Sequence, residues 1–146
     1  MRVGVTGADG FTGRYLCAAL EAAGHDVAVL SADVTDSAAV ADAVAEAKPD
    51  SIIHLAALAF VHSEDFSGFY QVNQIGAFNL LAAALRFAPN ARVVLASSAT
   101  VYGDVAEGFL NEDTPLNPRT HYAVSKCAME MGAAFWRDRL DVRIVR

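Results

Sequence analysis

Tyr122-Ala-Val-Ser-Lys126 places a phenol and an ammonium four positions apart in a stretch that reads as helix, where positions i and i+4 share one face. The two groups then border one small volume. A free tyrosine titrates near ~10, and a neighbouring cation favours its phenolate, bringing it toward a pH at which it can exchange a proton with a substrate. The spacing also occurs on helices that do no chemistry, so its meaning depends on its surroundings. Residues 3 to 13, Val-Gly-Val-Thr-Gly-Ala-Asp-Gly-Phe-Thr-Gly, run from an apolar stretch into glycines at Gly7, Gly10 and Gly13. Strand, glycine turn and helix can together seat a pyrophosphate. Gly7 permits the tight turn, Gly10 the approach of backbone to phosphate, and Gly13 the packing of helix on strand. The pattern is G-x-x-G-x-x-G rather than the usual dinucleotide fingerprint, and a glycine turn with no ligand has the same local form. Ser98 lies 24 residues before Tyr122 at the end of an apolar run. Its hydroxyl can orient a substrate oxygen or simply close a turn.

The elements that must position these groups alternate along the chain. Residues 2 to 6 predict a strand, and residues 11 to 23 a helix closed by Gly24. Val27 to Leu30 make a second strand, Ser37 to Lys48 a helix that stops before Pro49, and Ser51 to Leu55 a third strand. A long helix is expected from about 69 to 87, then strands at Arg92 to Ala96 and Val142 to Val145. Asn117-Pro118 supplies a preferred N-cap and a first-turn proline for a helix of about 118 to 137. Its core stripe is expected at Ala123, Cys127, Met131 and Ala134, with Tyr122, Lys126 and Met129 alongside. Strand and helix in strict turn imply a parallel sheet, whose ligands bind beyond the carboxyl ends of the strands. The glycines, Leu55-Ala56-Ala57 and Ser97-Ser98 all fall there.

Composition bounds the alternatives. The chain has 146 residues, 54% hydrophobic and 19% charged, which suits one compact α/β unit with a sizeable core. A net charge of −6 without a basic cluster argues against nucleic acid and anionic membranes as partners. No stretch approaches the ~20 apolar residues of a membrane span, and the N-terminus passes straight into a strand, so a cytoplasmic location is expected. Cys17 and Cys127 read as small core hydrophobes, and the scattered histidines form no ligand pair, so no metal site is expected.

Five motifs then occur in order: Thr6-Gly-Ala-Asp-Gly-Phe-Thr-Gly13, His54-Leu-Ala-Ala57, Val72-Asn73 with Gly76, Ser97-Ser-Ala-Thr-Val-Tyr-Gly103, and Tyr122-Ala-Val-Ser-Lys126. The chain resembles the extended branch of the short-chain dehydrogenase/reductase superfamily, the NAD-dependent epimerase/dehydratase family that modifies nucleotide sugars. The resemblance implies a Rossmann-type doubly wound parallel sheet of about five strands, truncated before the substrate-binding lobe, so that the chain is an N-terminal fragment of a longer enzyme. It implies NAD or NADP as cofactor, with Gly7, Gly10, Phe11, Thr12 and Gly13 at the pyrophosphate and Asp33 and Val34 at the adenine. Leu55, Ala56 and Ala57 would run along the ribose, with Asn73 supporting the site from the long helix. Ser98 would polarise the sugar oxygen, Tyr122 would act as general acid or base, and Lys126 would hold the nicotinamide ribose and lower the phenol's pKa.

The sequence departs from that pattern in places. No acid ends the second strand; Leu30-Ser31 stand there, and the first carboxylate is Asp33, while Arg14 is the basic residue nearest to a 2′-phosphate, so NAD and NADP stay open. Leu30 to Asp36 runs almost directly into the next helix, so one strand and its crossover are expected to be missing. Ser98 is followed by Ala99-Thr100 rather than by acids, which disfavours dehydration and leaves a 4-epimerase or a 4-keto reductase. The neighbourhoods of Phe60-Val61 and Asn79-Leu80-Leu81 resemble GDP-deoxyhexose reductases as much as epimerases. The alternative is a cofactor-binding module without turnover, or a dinucleotide redox sensor. Family members often dimerise through their two long helices, and Phe78, Leu85, Met129 and Trp136 are compatible with such a face.

Overall fold

The apolar, β-branched runs form five strands, β1 (Arg2–Thr6), β2 (Asp26–Val29), β3 (Ser51–His54), β4 (Arg92–Ala96) and β5 (Asp141–Val145). All neighbours pair in parallel, in the order β2-β1-β3-β4-β5. These features come from a computed structural model that describes residues 1–59, 66–104 and 108–146; Phe60 and Val61 lie outside them. Val5, Ile52, Val93 and Leu95 are fully buried, as expected of strands covered on both faces. On one face α1 (Phe11–Ala22) packs Leu16, Cys17 and Leu20 against Val3 and Val5. The other face carries α2 (Ser37–Ala47), α4 (Gly76–Phe87) and α5 (His121–Ala133), with Val44, Leu80, Leu81 and Met129 in its core.

Among the described residues the sheet has no strand beyond β2. β2 is an edge, and the chain after it goes directly to α2, whose N-cap Asp36 accepts from the amides of Ala38 and Ala39. α2 ends where Lys48 adopts a left-handed conformation before Pro49. The long helix comprises α3 (Ser67–Phe69), a π-helical stretch at Tyr70–Ile75, and α4. Among the described residues no helix is long and apolar enough to cross a membrane.

Two expectations for the last helix are corrected. It starts at His121, not at Pro118, and its N-cap is Thr120, which accepts from the Ala123 amide at 3.1 Å. Asn117 is held elsewhere, its N–H donating to the Val101 carbonyl at 2.9 Å. The buried stripe is also rotated. Met129 and Ala133 are fully buried, whereas Met131 is 69% exposed and Ala134 is exposed. The helix packs on both the sheet and α4, so its buried arc is wide enough to take in Ser125, Lys126, Cys127 and Glu130. The side chains named for a dimer face also have neighbours within the chain. Met129 is core, and Phe78 stacks on Trp136 within the chain at 5.3 Å between ring centres, so these side chains are already engaged.

The β1–α1 turn leaves no room for a side chain at its third glycine. A Cβ on Gly13 would lie 2.2 Å from the Gly7 carbonyl oxygen and 2.6 Å from that of Ala8, both rigid backbone atoms. Gly13→Ala is expected to destabilise the chain by about 2–4 kcal/mol, as overpacking against backbone does, read as a lower midpoint in urea unfolding with little change in slope.

Candidate active site at the carboxyl ends of the strands

The strand order reverses between β1 and β3, and a crevice at such a switch point is where open parallel sheets bind ligands. Thr6 and His54 end the two strands and lie opposite one another in register. Gly7 turns the chain away with φ +70°, and a Cβ there would lie 2.6 Å from the Ala56 nitrogen. The turn therefore rests on the β3 exit as bare backbone. Gly10 caps α1 with no side-chain hydrogen bond, and no acid occupies the helix's first turn. First-turn amides of a helix have no intrahelical acceptor, so this end suits a diphosphate. Phe11 and Thr12 are exposed beside it, with the Phe11 ring edge-on to Tyr15. Asp9, also exposed, precedes the helix.

On the β2 side, Asp33 is exposed, and its Oδ1 accepts from the Thr35 amide at 2.9 Å and the Thr35 hydroxyl at 2.7 Å. Those two bonds hold its carboxyl below the ordinary carboxylate range. Val34 is buried, facing Gly76, where a Cβ would come within 2.6 Å of its Cγ2. Asn79 on α4 donates to the Val34 carbonyl at 2.9 Å, fixing the loop to the helix. The backbone and Asp33, rather than the Val34 side chain, are therefore what this loop offers to a ligand.

Along β3's exit, Leu55 packs into the α1-side core, Ala56 donates its amide to Thr6 Oγ1, and Ala57 is exposed. Asn73 lies wholly inside, in the π-helical stretch. Its Oδ1 accepts from the Leu58 amide at 2.7 Å, and its Nδ2 donates to the Leu58 carbonyl and to Ser125 Oγ, each at 3.0 Å. Ser125 in turn donates to the Tyr122 carbonyl at 2.7 Å. Asn73 thus ties the β3 exit loop to the helix bearing Tyr122, and its burial leaves no surface for direct contact with a cofactor.

Tyr122 is half-buried in the first turn of α5, with Phe69 edge-on at 6.3 Å. Lys126, one turn on, is 2% exposed and donates to the Ala96 carbonyl at 2.8 Å. Its nitrogen lies 6.0 Å from the centre of the Tyr122 ring. Burial pulls the ammonium down to about 8, opposed by the charge of Glu130. Ser98 follows Ala96 by two residues and caps the short 3₁₀ turn Ala99–Tyr102. Its oxygen accepts from the amide and the hydroxyl of Thr100, at 3.2 and 2.9 Å, which leaves its own proton to donate. The 3₁₀ turn packs on α5, which brings the turn that Ser98 caps against the helix bearing Tyr122 and Lys126.

His54 and Glu130 were not singled out as site residues by sequence reasoning. His54 is 1% exposed, with Nδ1 2.7 Å from Thr6 Oγ1. Thr6 Oγ1 also accepts from the Ala56 amide, and the direction of its bond with Nδ1 follows the imidazole tautomer, Nε2 being the other ring nitrogen. That Nε2 is buried and finds no partner among the described residues. The only signal in the sequence was its place at the strand end. Glu130 carried a signal only in its spacing, one turn beyond Lys126.

A five-stranded parallel sheet with a bare glycine turn at its switch point is the Rossmann-type α/β arrangement that seats dinucleotides. The chain belongs to the NAD dependent epimerase/dehydratase family, whose model matches residues 3–146. It is 34% identical over 153 residues to the GDP-6-deoxy-D-talose 4-dehydrogenase of Aggregatibacter actinomycetemcomitans, covering 100% of this chain and 52% of that protein. The UDP-glucose 4-epimerase of Thermus thermophilus, solved with NAD, superposes with a TM-score of 0.89 at 31% identity, over 99% of this chain and 53% of that one. RMD from Pseudomonas aeruginosa, solved with NADPH, gives 0.87 at 34% identity, over 99% and 53%. The chain spans about half the length of these relatives.

Burial holds the His54 imidazole down to about 3, with the Lys126 charge adding to the effect. Its folded value lies below the unfolded one of about 6.5, so the unfolded chain takes up a proton that the folded chain refuses. Stability is then lost as pH falls from about 6.5 toward about 3, by roughly 1.4 kcal/mol per unit of that interval. Urea unfolding of wild type and His54→Asn at pH 7 and pH 4.5 checks this: the acid-induced loss should be smaller in the variant.

Proposed function

We propose that this chain is the dinucleotide-binding part of an NAD(P)-dependent enzyme that moves hydride at a carbon of a nucleotide sugar, as a 4-epimerase or a 4-keto reductase. The observation that carries the reading is the buried Lys126, one turn from Tyr122 on α5 and bonded to the Ala96 carbonyl two residues ahead of Ser98. Relatives named as a 4-dehydrogenase and a 4-epimerase, and solved structures holding NAD or NADPH, support it. The bare glycine turn and uncapped start of α1 fit the diphosphate, and the exposed loop at Asp33 lies where the adenosine end would follow.

When bound, the nicotinamide supplies or accepts the hydride. In the reducing direction, Tyr122 donates its phenolic proton to the sugar oxygen as that oxygen gains charge, and Ser98 donates a hydrogen bond to the same atom. In the oxidising direction, Tyr122 takes the hydroxyl proton. Lys126 keeps a positive charge near the phenol at neutral pH, which stabilises the phenolate when the proton leaves. Ala99 and Thr100 stand where a proton-abstracting acid pair would be needed, which disfavours dehydration. The free thiols of Cys17 and Cys127 suit the reducing cytoplasm, where we place the protein.

The alternative reading is a cofactor-binding module without turnover. Titration of the chain with NADH and NADPH, followed by a hydride-transfer assay on a GDP-linked 4-keto-6-deoxyhexose, separates the two. Binding with turnover supports the enzyme, and binding alone supports the module. Tyr122→Phe should cut turnover by about 10²-fold or more; unchanged turnover would remove Tyr122 from the acid/base role.

A further inference from the structure

The carboxylate of Glu130 is the most heavily engaged charge in the molecule that the mechanism above does not use. Its side chain is 5% exposed, on the turn of α5 that follows Lys126. Arg146, just past β5, grips it with the Nε–Nη2 edge of the guanidinium: Nε lies 3.1 and 3.0 Å from Oε1 and Oε2, and Nη2 lies 2.6 Å from Oε2. The same oxygen Oε1 accepts from the hydroxyl of Ser97, the residue before Ser98. Arg146 also donates to the Tyr102 hydroxyl at 2.8 Å, at the far end of the 3₁₀ turn that Ser98 caps.

α5 therefore holds the end of β4 at two points one helical turn apart, Lys126 on the Ala96 carbonyl and Glu130 on the Ser97 hydroxyl. The turn beyond is held at Tyr102 by Glu130's own partner. We propose that Glu130, clamped by Arg146, is a positioning residue for the Ser98, Tyr122 and Lys126 group. It fixes the strand end that presents Ser98, and it sets a carboxylate charge one turn from the Lys126 ammonium. The inference rests on the roles assigned above, but its test reads no turnover.

The groups facing this cluster are countable. Lys126 meets Tyr122 and Glu130 on its own helix and His54 from β3. Glu130 meets Arg146 from β5, and Tyr102 approaches through Arg146. The thiol of Cys127 is raised by burial first and by Glu130 second. With His54 neutral and Arg146 permanently charged, Glu130 supplies the negative charge that keeps the buried ammonium protonated.

Lys48 and Lys126 are the lysines of the sequence, so a chain labelled with ¹³C at lysine Cε gives two signals, assigned with Lys48→Arg. In wild type the Lys126 signal should titrate near 8. Glu130→Gln keeps the shape and removes the charge, so its midpoint should fall by about half a unit or more. Simple loosening of the packing would instead re-hydrate the ammonium and raise the midpoint toward the ordinary lysine value, so the sign separates positioning charge from a merely structural role. An unchanged or raised midpoint would overturn the proposal. Ser97→Ala is the second arm, independent of whether Glu130→Gln folds: it should move the Ser98 and Thr100 amide resonances while leaving the Lys126 midpoint in place. Unmoved amides would equally overturn it. Neither outcome depends on a substrate, so a failure here is distinct from a failure of the Tyr122→Phe assay.

Discussion

A positive charge buried beneath the crevice is the constraint around which the rest is arranged. Lys126 is nearly sealed from water, and an ammonium in that position persists only where hydrogen-bond acceptors and opposite charge replace the lost hydration. The Ala96 carbonyl gives the direct bond, and Glu130 gives the charge. Both demands reach into the sheet. The carbonyl belongs to the end of β4, and the carboxylate is held by a guanidinium at the end of β5. The helix cannot satisfy its lysine without docking on those two strands, and docking brings the turn that Ser98 caps against the helix that carries Tyr122. His54 at the end of β3 stays neutral chiefly because it is buried, with the Lys126 charge adding to the effect.

Much of this was legible in the sequence, and the limits follow from range. All five strands were visible because buried parallel strands are short apolar runs, and the glycine turn because only a missing Cβ allows its contacts. The start of α5 was misplaced because Asn117 and Thr120 are both good caps, and what decides between them is a bond from Asn117 to Val101 across the fold. The stripe on α5 was mis-phased because periodicity treats Lys126 and Glu130 as polar and assigns them outward. Their burial depends on Ala96, Ser97 and Arg146, which lie far off in the sequence. Asn73 illustrates the same gap. Its partner Ser125 is 52 positions away, so no local pattern shows the amide to be satisfied.

The β2 side of the crevice is built by different means. There is no buried charge; the loop after β2 is fixed by close packing of Val34 on Gly76 and by the Asn79 amide. Asp33 is already folded onto Thr35, so its carboxylate meets a ligand with one oxygen in use. The missing crossover after β2 makes this loop short, and a short loop needs few fixings. The two ends of the crevice thus differ in character, one held by electrostatics and the other by shape.

The π-helical stretch at Tyr70–Ile75 joins those two ends. Before it, Phe69 lies against Tyr122; after it, Gly76 and Asn79 meet the loop at Val34; within it, Asn73 turns fully inward. An ordinary α-helical path through the same residues would bring these three contacts out of phase by roughly 100° for each residue of offset. The length of the chain here is therefore a gauge as well as a scaffold. Loss of one residue between 70 and 75 would disengage one end of the crevice from the other even with every site residue intact.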